Sequence, residues 1–153
     1  MKKVFPLLLL MLVAGYASVS AYGQCCGPVN HPKDRIKATK TVTGTFKGFE
    51  VGDYIHAVIT KKNGQEVSFF LPQTESVQYF LVTHKGEELT LTYHVVSSWI
   101  EEAGGMQTIE RLATVKSATE TNAAWWKKQR AGSSLSKLRQ KYDAMVEKAT
   151  INQ

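Results

Sequence analysis

The chain has 153 residues, 43% hydrophobic and 21% charged, with a formal net charge of +6. This suits one soluble domain with an appendage. The charge lies at the two ends, and residues 40–118 are net −2, so the centre lacks the basic groove that a nucleic-acid backbone requires.

Residues 1–21 have the order of a secretory signal peptide. Lys2 and Lys3 form a short positive start, Val4 to Ala14 is almost wholly apolar, and Val19-Ser20-Ala21 supplies the small residues of a cleavage site. Cleavage leaves a mature chain of net charge +4, exported to a bacterial-type periplasm or the exterior, with envelope association a further expectation. The competing reading is an uncleaved anchor over Val4 to Tyr22, weakened by Gly15, Ser18 and Ser20. Lipid attachment at Cys25 is disfavoured because Gln24, rather than a small residue, precedes it.

Cys25 and Cys26 are the only cysteines, and they are adjacent. A bridge between neighbours closes a strained ring, since disulfides prefer Cα atoms about 5.5 Å apart. A vicinal disulfide, a disulfide-linked dimer and free thiols all stay open. Gly27, Pro28 and Pro32 follow, so residues 22–39 are expected to be a flexible arm.

Residues 40–118 change to β-branched and aromatic composition with period-two alternation. Thr41 to Phe49 and Asp53 to Lys61 form the first two expected strands. Asn63-Gly64 then signals a two-residue hairpin turn. That turn pairs Lys61 with Glu66, Val58 with Phe69 and His56 with Leu71. One hairpin face carries Ile55, Ala57, Ile59 and Phe70; the other carries Tyr54, His56, Val58, Val67, Phe69 and Leu71. Pro72 ends the third strand, Thr74 caps a short helix, and Gly86 stands beyond its end. Glu88 to Val96 is expected to place Leu89, Leu91, Tyr93 and Val95 on one face. A loop with Trp99, Glu101, Glu102 and Gly104-Gly105 leads into a last strand, Thr108 to Lys116.

Residues 119–153 form a basic tail. Trp125-Trp126 precede Lys127, Lys128 and Arg130, a composition suited to peripheral membrane contact. Ser133 or Ser134 caps a helix to about Ala149, with Leu135, Leu138, Tyr142 and Met145 at a/d spacing. Two heptads are too few for an independent coiled coil, so docking on the preceding domain is the expected role.

The element order, three strands, helix, two strands, resembles the OB-fold, a five-stranded partly open barrel. The fold class expected is mainly β: an OB-like antiparallel barrel with one inserted helix and a C-terminal helical tail. The resemblance implies a ligand surface on strands 2 and 3, flanked by the loops joining strands 1–2 and 4–5. The matching residues are Glu50, Asp53, Tyr54, His56, Phe69, Trp99, Glu101 and Glu102. The Tyr54/His56/Phe69 face is expected to point outward unless the tail covers it. Carboxylates beside Tyr54 and Trp99 suit a sugar, a cationic ligand or a basic protein segment rather than nucleic acid.

The histidines lack metal-ligand spacing, Asp53-x-x-His56 included, and no nucleophile or phosphate-binding motif is present. The expected function is thus an exported, non-catalytic binding module for a carbohydrate or protein partner, without cofactor or metal. The alternatives are an envelope-associated structural protein tethered by its tail and a small hydrolase using Glu50, Asp53 or Glu102.

Overall fold

The computed structural model describes residues 33–72 and 74–151. The signal segment, Cys25 and Cys26, and the arm before Lys33 lie outside them. The elements are β1 (Arg35–Val51), β2 (Ile55–Lys61), β3 (Glu66–Phe70), α1 (Glu75–Thr83), β4 (Glu88–Ile100), β5 (Gly105–Lys116), α2 (Asn122–Gly132), α3 (Leu135–Lys148) and β6 (Thr150–Ile151). They are mainly β, a six-stranded sheet with three helices.

β1 organises the sheet. Its threonines, valines and isoleucine favour extended backbone, and its length lets it serve two partners. Arg35 to Thr45 pairs with β4, and Gly44 to Val51 pairs with β2. The strand therefore begins inside the segment expected to be an arm, because residues 35–38 continue the ladder with β4. Gly44 belongs to both ladders, and a Cβ there would lie 2.5 Å from the Thr60 carbonyl oxygen. Only glycine permits that approach.

β2 pairs with β3, β3 with β5, β5 with β4, and β4 with β1, so five strands form a ring of pairings. The arrangement is not wholly antiparallel as expected, since β3 and β5 pair in parallel at Phe70 and Arg111. The cause is connectivity: α1 carries the chain across from β3 to β4, and the β4–β5 hairpin then reverses it.

The β2–β3 hairpin differs by one residue from the expected register. Thr60 pairs with Glu66, Val58 with Ser68, and His56 with Phe70. The loop has three residues rather than two. The Gly64 amide bonds the Lys61 carbonyl, the Lys61 amide bonds the Gln65 carbonyl, and Gly64 has positive φ while Asn63 does not. This is a turn followed by a left-handed glycine, the other common use of Asn-Gly. A one-residue slip exchanges the two faces. Ala57, Ile59 and Phe69 thus enter the core, with Val67 and Leu71 packed against it.

Leu89 and Leu91 are buried as expected, and Tyr93 packs on the core. Beyond Tyr93 the fully buried residue is Val96, cross-strand from Ile36 and Ile109, rather than Val95. An irregularity in the β4–β5 ladder at Thr92/Tyr93 marks the change. Thr74 occupies the N-cap of α1 without a side-chain cap bond.

The tail packs into the same core. Thr121 caps α2 by accepting from the Ala124 amide, and the buried Asn122 side chain accepts from the Val115 amide at 3.1 Å. Ser134 caps α3. Trp125 is 7% exposed and meets Phe80 edge-on, with centroids 5.7 Å apart. Trp126 is half-buried, Lys127 is exposed, and Lys128 bonds Glu120. Leu138 and Tyr142 are buried, whereas Met145 is exposed. The Tyr79 hydroxyl donates to Asp143 at 2.6 Å; desolvation, then this carboxylate, pushes the phenol well above its usual range. β6 closes the tail by running parallel to β1 over Gly48, where a Cβ would meet the Ala149 carbonyl oxygen at 2.5 Å.

Trp125→Ala should therefore cost about 3–5 kcal/mol in urea unfolding. A tail that is only an appendage would leave the unfolding midpoint unchanged.

Candidate functional site

The hairpin register decides which aromatic rings face outward. Phe69 is 1% exposed, and its ring lies 4.6 Å from Tyr93, so the expectation that it contacts a ligand is corrected. Phe70 takes its place because the three-residue loop turns it to the opposite face. His56 meets the Phe70 ring at 4.2 Å and 68°, and Tyr54 meets it at 5.6 Å and 52°. The three rings form a tilted row.

The loop after β1 and the loop after β4 meet beside this row. The Tyr54 hydroxyl donates to the Glu102 carboxylate. That hydrogen bond holds the Glu102 carboxyl below its ordinary range and raises the Tyr54 phenol above its own. Two residues 48 apart in sequence, expected on opposite flanks of one site, are thus in contact.

Tyr54 walls several clefts, two of which bear on binding. The larger, about 450 Å³, is lined mainly by Phe70, Leu71, Pro72, Trp99, Ile100, Ile109 and Arg111. The smaller, about 330 Å³, is lined by Glu50, Gly52, Asp53, His56 and Ser68. Glu50 stands cross-strand from His56 and accepts from the Ser68 hydroxyl at 3.2 Å. Trp99 lies within β4, paired with Met106, rather than in the loop. Strand pairing persists to Ile100 and Gly105, so the loop is shorter than expected. Glu101 is exposed in that loop and lines neither cleft. Of the eight expected residues, Glu50, Asp53, Tyr54, His56 and Trp99 line the two clefts, and Glu102 joins them through its bond to Tyr54.

One wall has an ionic support that local sequence does not announce. Asp34 accepts from the Ser98 hydroxyl at 2.5 Å and from the Arg111 guanidinium at 2.6 Å. Ser98 and Arg111 both line the larger cleft. The Ser98 bond, then the Arg111 bond, holds the Asp34 carboxyl below its usual range. Asp34 and Arg111 are 77 residues apart, so no spacing rule joins them. The only signal was an Arg within a strand pattern.

The arrangement offers apolar and aromatic walls with hydrogen-bond acceptors at the rim, the make-up of a binding site. The Ser68 hydroxyl donates to the Glu50 carboxylate rather than to His56. Among the described residues no three His, Cys, Asp or Glu side chains are placed to hold a metal ion. Comparison with protein families, with curated proteins and with solved structures finds no match to this chain.

The depressed Asp34 pKa fixes a direction with pH. Its bonds stabilise the fold fully above the unfolded aspartate value of about 3.9, and that contribution disappears as pH falls through the lower folded value. Asp34→Asn should therefore be less stable than wild type near neutral pH. The difference should close as acid titrates Asp34, followed by chemical denaturation across pH; a constant difference would contradict the assignment.

Proposed function

We propose that the chain is an exported, non-catalytic binding module whose five-strand ring is an OB-like barrel, and that it binds a protein partner in the cleft between the loops joining β1 to β2 and β4 to β5. The signal-like order of residues 1–21 supports export. The circuit of pairings, with α1 between β3 and β4, supports the barrel reading.

The observation that carries the binding reading is the meeting of Tyr54 and Glu102 beside an apolar cleft. A pocket walled by Phe70, Trp99, Pro72 and Ile109 excludes water from an apolar anchor, which is where interface energy concentrates. An apolar wall flanked by carboxylates suits a protein segment that carries an apolar side chain beside a polar one. Carbohydrate binding is the alternative that the same experiment separates.

Tyr54→Ala and Trp99→Ala should each weaken retention of the partner from the protein's own compartment by about 2 kcal/mol or more. Tyr54→Ala should leave the melting temperature near that of wild type. Retention of the same partner at unchanged affinity by both variants would contradict the site, and capture of glycan in place of protein would favour the alternative.

A further inference from the structure

We infer that the partner presents a cationic–apolar segment: a Lys or Arg bonds the carboxylates at the mouth while a neighbouring apolar side chain enters the larger cleft. This rests on the cleft being the binding site.

Charge complementarity carries the inference. Among the described residues, Arg111 is the only Lys or Arg lining either cleft, and it is already bonded to Asp34 at 2.6 Å. At the mouth, where Tyr54 walls both clefts, Glu50 and Asp53 line the smaller one, and Glu102 bonds the Tyr54 hydroxyl from outside either lining. Among the described residues, Glu66, Glu75, Glu88 and Glu120 each have a Lys or Arg partner, while no such ion pair forms at Glu50, Asp53 or Glu102. The mouth therefore keeps negative charge that an incoming base can neutralise, and it repels an acidic segment. Behind it, Phe70, Pro72, Ile100 and Ile109 offer apolar surface.

Tyr54 gives this site a distinctive signature. Its hydroxyl donates to one oxygen, Oε2, of the Glu102 carboxylate in the free protein. An ammonium or guanidinium donating to that carboxylate makes a charge-assisted bond, stronger than one from a neutral phenol. The phenol is thus a competitor for Glu102, while its ring remains part of the wall. Tyr54→Phe keeps the wall and removes the competitor.

The test uses the exported protein, isotope-labelled, titrated with a short peptide alternating lysine and leucine. The same titration is repeated with a peptide alternating glutamate and leucine and with a neutral linear oligosaccharide. The lysine peptide should shift the amide signals of Phe70, Trp99 and Ile109, and added salt should weaken it. Tyr54→Phe should tighten this peptide about two- to fivefold, and Glu102→Gln should weaken it by a similar factor. Equal affinity of the two peptides, or preference for the glutamate peptide or the oligosaccharide at those signals, would overturn the cationic assignment while leaving the cleft a binding site. Tyr54→Phe weakening the lysine peptide would also overturn it. Shifts with none of the three probes would overturn both the assignment and the reading beneath it.

Discussion

Gly44 is the point at which one strand serves two neighbours. Its missing side chain lets β1 lie against Thr60 of β2 while it still pairs with Leu89 of β4. A Cβ placed 2.5 Å from a backbone oxygen would force the strands apart. Closure of the five-strand ring depends on that contact, because among the described residues β1 alone pairs with both β2 and β4. Gly48 repeats the device a few residues later, where β6 passes close above it.

Closure brings distant residues together. With β2 and β4 held on either side of β1, the loops after β1 and β4 open toward each other, and Tyr54 reaches Glu102. The parallel contact of β3 with β5 sets Phe70 opposite Arg111, which binds back to Asp34 just ahead of β1. At the tail, α2 and α3 add Trp125, Leu138 and Tyr142 to a core already holding Phe80 and Leu81 of α1. The basic ends of the chain thus make different contributions: Asp34, beside Lys33 and Arg35, supports the cleft wall, and the C-terminal helices complete the core.

Much of this was legible because local chemistry decides it. Alternation marked the strands, Ser133-Ser134 marked the start of α3, and Asn63-Gly64 marked a hairpin. The register was not legible, because Asn-Gly serves both two- and three-residue loops and only the backbone of Asn63 distinguishes them. That single ambiguity exchanged Phe69 for Phe70. Trp125 was hard to place for another reason. A tryptophan pair beside lysines reads as an interface whether its apolar face meets a membrane or a core, and only Phe80 and Tyr142 decide between them here. The Asp34–Arg111 pair depends on closure of the whole ring, which no local pattern encodes.

The account turns on which of two adjacent phenylalanines is structural. Urea unfolding of Phe69→Ala beside Phe70→Ala tests this most directly. Burial of Phe69 in the core predicts a loss of about 3–5 kcal/mol for its removal. Phe70, half-buried on the cleft wall, should cost clearly less. Equal losses, or a larger loss from Phe70→Ala, would contradict the register and with it the placement of the binding face.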